Sequence, residues 1–469
     1  MSRPFSRRRF LQQSGTAAAT AAVLHGVHTM VRADRPLAAN DEIVVGLIGC
    51  GGMGRANLRD FLRVAGVKVG ALCDVDSTHI ENAEQDVAKR RAQQNAKVEK
   101  YTTHKDFREL LDKKDIDCVI VATPDHWHAL PTIYACMAGK DVYCEKPISH
   151  NIVEGRMMVN AVKKYKRVCQ IGTQQRSGAH FQRAIELVQK GAIGEVYMTR
   201  TWNLSNEHPD GIGNPPDDNP PPYVDYDMWL GPAPKRPFNR NRFHYTWRWF
   251  FDYAAGMVGD WNVHLQDIIH LAMGTFHPVA VHASGGKFAL RDNRDTPDTM
   301  EVTYEFVRPD GKPFVQVYTM RKYCVNHSQW SPGHAMQFLG SDGVLNLNRS
   351  GFEIVPEVRR EGKKVVQRTE PIKSGGSDQH FPHVVNFIEC VRSRQKPISD
   401  IETMHFTTTA CHLANISLRV GRKIYWDPKT ERCFKDPEHK VPDAEANRWL
   451  AREYRKPWEL PKIELDQSA

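Results

Sequence analysis

The alternation of hydrophobic and polar positions divides this chain into two parts, which meet near Gly172. In the first part, short runs that are apolar throughout alternate with polar segments of helical period. Such alternation predicts βαβ units, and continuous apolar runs predict strands buried on both faces of a parallel sheet. We therefore predict a doubly wound α/β domain of the Rossmann type over residues 42–172. Its predicted strands are residues 43–48, 67–75, 117–122, 141–144 and 168–171.

After Gly172 the pattern becomes that of half-buried strands, in which apolar and polar residues alternate. The sequence Pro309-Asp310-Gly311-Lys312 is a hairpin turn signal between two of them. We predict an α+β domain over residues 173–430, with a large open sheet that is mainly antiparallel. Residues 431–469 are predicted to form a tail with a final amphipathic helix at 444–455. The main predicted strands are 194–203, 279–290, 299–307 and 314–322, and the helices are 260–273, 381–394 and 403–420.

A Pro-rich passage at residues 208–237 interrupts the second domain. It is longer than the segments that usually connect secondary-structure elements in a compact domain. Its length favours a lid or an oligomer arm over a plain connector.

The first 33 residues have the composition of a targeting segment. Consecutive arginines from Arg7 to Arg9 precede an Ala-rich apolar run, and no acidic residue occurs before Asp34. This is a twin-arginine pattern, so residues 1–33 are predicted to be a signal peptide. An amphipathic N-terminal helix would instead spread its arginines along one face. The pattern predicts export of the folded protein, to the periplasm or otherwise out of the cytoplasm.

Charge and composition argue against several classes of function. The formal charge is +9, but five of the 64 basic residues belong to the predicted signal, which leaves 59 basic against 55 acidic side chains. No Lys/Arg run remains that could follow a phosphate backbone, so we expect no nucleic-acid partner. No apolar stretch after the signal is long enough to span a membrane. The ten cysteines include no CxxC pair and no Cys/His cluster at zinc spacing, so no metal site is predicted.

A glycine-rich sequence follows the first predicted strand directly. Residues 49–54 fit G-x-G-x-x-G, and Asp74 ends the second predicted strand. In this context the pattern predicts a dinucleotide-binding turn, with the pyrophosphate on the N-terminus of the next helix. Asp74 is expected to bind the adenosine ribose and to repel a 2′-phosphate, which favours NAD, with NADP as the alternative. The predicted contacts in the turn are Gly49, Gly51, Gly52, Met53 and Gly54.

Two further strand ends reach the same edge of the predicted sheet. Thr123, Pro124 and His128 follow the strand at 117–122, and Glu145 and Lys146 follow the strand at 141–144. Open α/β sheets bind ligands beyond the carboxyl ends of their strands, so these residues are predicted to line the cofactor crevice. A lysine there would hydrogen-bond a reacting hydroxyl and favour its alkoxide. By itself, a lysine is more often a solvated surface residue.

Residues 260–267 combine a histidine with two carboxylates. If this segment is helical, Asp260, His264 and Asp267 share one face, at i, i+4 and i+7. A carboxylate beside a histidine fixes the tautomer and charge of the ring and makes it a poised base. On spacing alone, the simpler interpretation is a helix N-cap at Asp260 and a packed histidine at His264.

Taken together, these motifs resemble those of the Gfo/Idh/MocA family of oxidoreductases, which includes glucose-fructose oxidoreductase and inositol dehydrogenase. The resemblance runs from about residue 43 to 458. It rests on the glycine turn, on Glu-Lys-Pro at 145–147 and on Asp-x-x-x-His at 260–264. It implies a Rossmann domain, an open-sheet domain and a homo-oligomer, dimer or tetramer, formed through that sheet. The sequences Trp-Leu-Gly-Pro at 229–232 and Trp-Arg-Trp-Phe at 247–250 resemble those of exported members.

The resemblance also implies roles for individual residues. The family's catalytic lysine, aspartate and histidine fall on Lys146, Asp260 and His264. His264 would exchange the hydroxyl proton, Lys146 would polarise the oxygen, and Asp260 would orient the pair. Gln174 lies in a segment that resembles the family's entry into the second domain near the cofactor. Further candidates for substrate contact are Arg176, His244, Tyr245, Arg248 and His380.

The function implied is hydride transfer between nicotinamide and a secondary hydroxyl of a sugar or polyol. Because an exported enzyme lacks a nucleotide pool, we expect a tightly bound cofactor and redox-neutral turnover. The alternative is cleavage of a glycoside by oxidation, elimination and re-reduction, as in some exported family members. A catalytically silent carbohydrate-binding protein is a third interpretation, which the intact set of Lys146, Asp260 and His264 disfavours.

Overall fold

A computed structural model describes residues 42–325 and 333–465 of the chain. The predicted signal peptide at residues 1–33 lies outside these described residues. Within them the chain forms two domains, and none of their helices is both long and apolar enough to cross a membrane.

The N-terminal domain is built on six parallel strands. They are β1 (Ile43–Ile48), β2 (Val67–Cys73), β3 (Thr102–His104), β4 (Cys118–Val121), β5 (Asp141–Cys144) and β6 (Cys169–Ile171). Their spatial order is β3-β2-β1-β4-β5-β6, so the order reverses between β1 and β4. Ligands bind beyond the strand ends at such a switch point. The predicted doubly wound sheet is confirmed, and β3 is an additional strand whose exposed threonines gave no hydrophobic signal.

Five helices pack against this sheet and against one another. Two of them begin in ways that matter for the site. The helix at residues 52–61 starts at Gly51 without a capping side chain, which leaves its first N–H groups open. The helix at residues 77–93 is capped by Asp76, whose carboxylate accepts a hydrogen bond from the Thr78 N–H at 2.8 Å. The helices are α1 (Gly52–Phe61), α2 (Ser77–Gln93), α3 (Phe107–Leu111), α4 (Ala129–Met137) and α5 (Ile152–Lys164).

The C-terminal domain contains a ten-stranded mixed sheet, in the order β16-β13-β12-β11-β7-β10-β9-β8-β17-β18, with β14 and β15 in a separate hairpin. Only β7 and β10 pair in parallel, and the remaining pairs of this sheet are antiparallel. The predicted, mainly antiparallel sheet is therefore confirmed. The strands are β7 (Val196–Leu204), β8 (Ala280–Gly286), β9 (Thr299–Val307), β10 (Pro313–Arg321), β11 (His334–Gly340), β12 (Gly343–Asn348), β13 (Gly351–Pro356), β14 (Val358–Glu361), β15 (Lys364–Gln367), β16 (Ile372–Gly375), β17 (Ile424–Asp427) and β18 (Arg432–Phe434).

Helices α6, α8 and α10 pack on this sheet and bury its alternate apolar residues, such as Tyr304, Phe314 and Tyr318. The helix predicted at 260–273 is present, but it begins with a π-helical turn, Val258–Asn262. The helices of this part of the chain are α6 (Ala179–Gln189), α7 (Tyr226–Leu230), α8 (Val263–Met273), α9 (His380–Ser393), α10 (Ile401–Val420) and α11 (Ala444–Asn447).

The passage between β7 and α8, residues 205–257, crosses to the N-terminal domain, and we call it the covering loop. Its aromatic residues, including Trp229, Phe243 and Tyr253, pack into a small core of their own. The Ser77 N–H donates to the carbonyl of Tyr223 at 3.1 Å, and the Asp225 N–H donates to the carbonyl of Val75 at 2.9 Å. These bonds hold the covering loop against the carboxyl end of β2.

The C-terminal tail departs from the predicted helix at 444–455. Only α11 and the 3₁₀ turn Arg448–Leu450 are helical, and the chain then runs extended along the N-terminal domain. Arg452 Nε donates to the buried carboxylate of Glu154 at 2.8 Å. Trp458 packs edge-on against Trp127, with ring centroids 4.8 Å apart. Because the tail residues are buried individually against that domain, they do not need the continuous apolar face that an amphipathic helix provides.

Arg176, which we predicted to contact substrate, is instead a buried structural residue. Its Nε donates to Asp267 Oδ2 at 2.8 Å, and its Nη1 donates to the carbonyl of Ile398 at 2.7 Å. The prediction for Arg176 is therefore wrong, because these partners hold the guanidinium inside the protein. The same ion pair removes Asp267 from His264, so the expected His–carboxylate contact with Asp267 is not formed.

Substituting Arg176 by Met is expected to lower the free energy of unfolding by about 3–5 kcal/mol, because the carboxylate of Asp267 would stay buried without a partner. Urea unfolding followed by fluorescence measures this change. Arg183→Met is the control, since Arg183 forms an exposed ion pair with Glu186 worth about 0–1 kcal/mol. Equal losses in the two variants would contradict a structural role for the buried pair.

Candidate active site

The turn between β1 and α1 needs glycine at two positions. Gly49 has a φ of +94°, and a Cβ there would lie 2.6 Å from the carbonyl oxygen of Ala122. A Cβ on Gly54 would lie 1.9 Å from the carbonyl oxygen of Gly49. The turn and the first turn of α1 are therefore packed too tightly for any side chain, as the glycine pattern predicted.

The next part of the turn is open. A Cβ on Gly52 would meet nothing within 4 Å, and one on Gly51 would meet only the ring of His79, at 3.6 Å. Met53, which follows, is one of the exposed large apolar residues. The uncapped N–H groups of α1 point at this space, and a helix N-terminus favours an anionic group. The residues present therefore fit the pyrophosphate of a dinucleotide.

Asp74 stands at the carboxyl end of β2, beside this turn. Its Oδ2 accepts from the Cys50 N–H at 2.6 Å, and its Oδ1 accepts from the Asp76 N–H at 2.9 Å. The carboxylate thus fixes the glycine turn relative to the start of α2. It also lines the crevice described below, where it can meet ribose hydroxyls.

His244 of the covering loop reaches this adenosine end of the crevice. Its Nε2 lies 2.8 Å from Asp76 Oδ2, and its ring lies 4.2 Å from that of His79. The predicted substrate contact at His244 is corrected, because the ring is held near Asp74. Asp76, His79 and His244 each offer a ligand atom within 4.8 Å of the others, a set that could hold a transition metal.

A crevice of about 580 Å³ runs from Asp74 to Lys146. Thr123, Pro124 and His128 line its middle, as predicted from their place after β4. The two ring nitrogens of His128 face the carbonyl oxygens of Pro147 at 2.7 Å and of Thr123 at 2.9 Å. Burial lowers the pKa of His128 to about 4, against the two carbonyl contacts, which favour the charged ring, and the ring positions the backbone on both sides of it.

Lys146, Asp260 and Arg248 meet at the inner end of the crevice. Lys146 Nζ donates to the Asp260 carbonyl at 2.7 Å and to its Oδ1 at 2.8 Å, and Arg248 Nε donates to the same Oδ1 at 3.0 Å. Burial alone would raise the pKa of Asp260, but the two cations outweigh burial and hold that pKa well below its usual range. The π-helical turn places the Asp260 carbonyl and carboxylate on the same side, toward Lys146. Irregular turns of this kind recur at functional sites.

Glu145 lies behind Lys146 and is fixed from both sides. Asn57 Nδ2 donates to Glu145 Oε1 at 2.9 Å, and Gln174 Nε2 donates to the same oxygen at 3.3 Å and to Tyr143 Oη at 3.2 Å. Burial raises the pKa of Glu145. Glu145 lines the crevice, whereas the buried Gln174 supports it from behind.

His264 lies one helical turn beyond Asp260 and is buried. Burial, followed by the charges of Arg349 and Lys146, holds its pKa well below the usual range. Its Nδ1 has no hydrogen-bond partner among the described residues. A neutral imidazole with an unused nitrogen can accept a proton from a bound hydroxyl.

Two of the other candidates face this site from different elements. His380 begins α9, and its charge contributes to lowering the pKa of both His264 and Glu145. Tyr245 is 72% exposed at the crevice mouth, with the Arg248 guanidinium 5.1 Å from its ring centre. Both positions remain predictions for substrate contact.

Comparison with known protein families identifies the family to which this chain belongs. Residues 43–173 match the NAD-binding Rossmann domain of the Gfo/Idh/MocA oxidoreductases, and residues 208–305 and 376–460 match the C-terminal alpha/beta domain of the same group. Together the matches cover more than half of the chain. The chain belongs to the Gfo/Idh/MocA family of NAD-binding oxidoreductases.

Individual members of the family are more distant. The chain is 28% identical over 168 residues to an uncharacterized oxidoreductase, YrbE, of Bacillus subtilis (strain 168), which is 36% of this chain and 46% of that protein. It is 29% identical over 204 residues to glycosyl hydrolase family 109 protein 1 of Shewanella sp. (strain ANA-3), which is 40% of this chain and 44% of that protein. The match therefore spans less than half the length of these curated relatives.

Solved structures show the same fold. An aldose-aldose oxidoreductase from Caulobacter crescentus, complexed with glycerol, superimposes with a TM-score of 0.58 at 20% identity. The superposition covers 82% of this chain and 99% of that one. At this identity the likeness concerns the fold alone.

Asp125 is a crevice residue that no sequence motif singled out. It is buried in the crevice wall, and burial raises its pKa to about 8 against the opposing charge of Lys146. It therefore holds a proton at neutral pH. Its place after β4 was visible in the sequence, but nothing there distinguished it from a solvated turn aspartate.

Asp125→Asn is expected to become more stable relative to the wild type as the pH rises from about 5 to about 8, and to gain no more above that. The reason is that the unfolded chain ionises this carboxyl near pH 4, whereas the folded chain keeps it neutral until about pH 8. Urea unfolding at a series of pH values measures the difference. The exposed Glu361→Gln is the control, and a pH-independent difference for Asp125→Asn would contradict the assignment.

Proposed function

We propose that this protein transfers hydride between a bound nicotinamide dinucleotide and a secondary hydroxyl of a sugar or polyol. The observation that carries the proposal is the pairing of Lys146 with Asp260 at 2.8 Å. Lys146 stands at the carboxyl end of β5 and lines the crevice that begins at the glycine turn, and Asp260 holds it there from the π-helical turn. The ammonium group of Lys146 can stabilise the alkoxide that forms when the reacting hydroxyl loses its proton, at the edge of a dinucleotide-binding sheet.

Each residue of the site has a separate role in the proposed reaction. The glycine turn and Asp74 would hold NAD, which supplies the hydride acceptor and donor when bound. His264 would accept the hydroxyl proton, since its ring is neutral and its Nδ1 is unused. Lys146 would donate a hydrogen bond to the same oxygen, and Asp260 orients Lys146. NAD is favoured over NADP because the Asp74 carboxylate would repel a 2′-phosphate.

A second candidate function is cleavage of a glycoside by oxidation, elimination and re-reduction. It is favoured by the matched relatives named glycosyl hydrolase family 109. The same residues would serve, because oxidation of a ring hydroxyl begins both reactions. The products separate the two: in the first reaction an oxidised sugar accumulates together with a second sugar or polyol that has taken the hydride from the bound cofactor, and in the second only a glycosidic bond is lost.

The proposal includes export and a cofactor that stays bound. The twin-arginine pattern supports export to the periplasm or beyond, where free nucleotide is absent. The covering loop supports retention, because hydrogen bonds to Val75 and Ser77 and the His244–Asp76 contact tie it over the adenosine end. We also propose a dimer or tetramer formed through the open sheet, whose outer side carries the exposed Tyr197 and Val315.

His264→Gln is expected to lower sugar-dependent turnover by about 10²–10⁴-fold, because the proton acceptor is lost, while the bound cofactor remains. Steady-state rates and released cofactor are measured on the same preparation. His282→Gln, on the exposed side of β8, is the matched control. Full activity in His264→Gln would remove His264 from the mechanism.

The mature protein, purified without added nucleotide and then denatured, is expected to release one NAD per chain. Mass spectrometry and absorbance of the supernatant measure it. NADP in its place would contradict the role given to Asp74. An empty protein would contradict cofactor retention.

A further inference from the structure

Arg349 approaches the proposed site from the turn between β12 and β13. Its guanidinium carbon lies 4.5 Å from the ring centre of Trp261, the residue directly after Asp260. The Trp261 ring in turn lies 5.6 Å from the ring of His264. Arg349 therefore stands next to Trp261, close to His264, where no family motif predicted a residue.

Among the described residues, no carboxylate is bonded to the guanidinium of Arg349. No hydrogen bond or ion pair joins it to another side chain within residues 42–325 and 333–465, and its Nε is buried without a partner. Burial lowers the pKa of Arg349, and the charge of Glu145 offsets this only in part. Holding a cation in this way costs free energy unless something pairs with it.

Arg349 is half-buried, and the fully buried arginines among the described residues are paired with carboxylates. Arg176 is bonded to Asp267, and Arg294 is bonded to Asp292 at 2.7 Å. The carboxylate nearest to the proposed chemistry, Asp260, already serves both Lys146 and Arg248. Glu145 acts on Arg349 only through its charge, so no described carboxylate is hydrogen-bonded to this guanidinium.

We propose that Arg349 binds an anionic substituent, a carboxylate or a sulfate ester, on the sugar substrate. A planar guanidinium matches either group with two parallel hydrogen bonds. The Trp261 ring holds the guanidinium in place by cation–π contact and keeps it beside His264. The substrate class is then an acidic sugar, such as a uronic acid, its glycoside or a sulfated sugar. This inference rests on the proposed function for its chemistry, but binding of the anion does not require turnover.

The test compares matched pairs that differ in one charged group. Glucose and glucuronate, galactose and galacturonate, glucose and glucose 6-sulfate, and the nitrophenyl glucoside and glucuronide are offered to the cofactor-loaded protein. Cofactor reduction and nitrophenol release report turnover, and the ligand-dependent shift in Tm reports binding. The variants are Arg349→Met, Arg349→Lys as the charge-conserving change, and Arg360→Met on the exposed β14 as the matched control.

The wild type is expected to prefer the acidic member of at least one pair by about 30-fold or more in kcat/KM or in Kd, the effect of truncating one partner of a buried charge pair. Arg349→Met should abolish that preference, Arg349→Lys should keep part of it, and Arg360→Met should leave it intact. The carboxylate and sulfate pairs show which anion is the natural one.

Equal handling of neutral and acidic sugars, or a preference that survives in Arg349→Met, would overturn the inference. Selective, Arg349-dependent binding of an acid without any turnover would sustain it and would count against the proposed function. Turnover of neutral sugars alone, without selective binding of the acids, would overturn the inference and would support the proposed function.

Discussion

The buried carboxylate of Asp260, shared between Lys146 and Arg248, is the interaction on which the site depends. Lys146 belongs to the Rossmann domain, whereas Asp260 and Arg248 belong to the second part of the chain, so this contact joins the two parts at the crevice. Breaking such a pair by removing one partner leaves a buried charge uncompensated, which is costly. The same contact keeps Lys146 oriented at the edge of the sheet, so the structure that joins the domains also orders the proposed chemistry.

The remaining features follow from that junction. The glycine turn fixes one end of a crevice and Lys146 the other, and the covering loop lies across the adenosine end. A loop tied by backbone hydrogen bonds to Val75 and Ser77 would have to open before a dinucleotide leaves. His264 lies beyond Asp260 in a part of the fold where positive charge is in excess. The proposed cofactor retention and the proposed preference for an acidic substrate would both follow from where the second domain places its loops.

The parts of the fold set by local pattern could be predicted from sequence. Continuous apolar runs gave the Rossmann strands, and the glycine turn gave the cofactor end, because backbone sterics dictate those residues. Long-range pairings were not visible: Arg176 looked like a ligand-binding residue until its partner Asp267, 91 residues away, was in place. Asp125 and Arg349 were missed for the same reason, since burial by distant elements gives them their character. The prediction of a helix in the tail was wrong because the tail residues are buried individually against the other domain.

The measurement that tests the central claim most directly is the fate of a deuterium placed on the carbinol carbon of a sugar that the protein turns over. The loaded protein is mixed with the labelled sugar, quenched within one turnover, and the released nicotinamide is analysed by mass. If hydride is transferred at this site, the reduced cofactor carries the deuterium, and the cofactor of the Asp260→Asn variant acquires far less of it in the same time. Deuterium lost to solvent, or kept in the sugar while turnover proceeds, would contradict hydride transfer at this site.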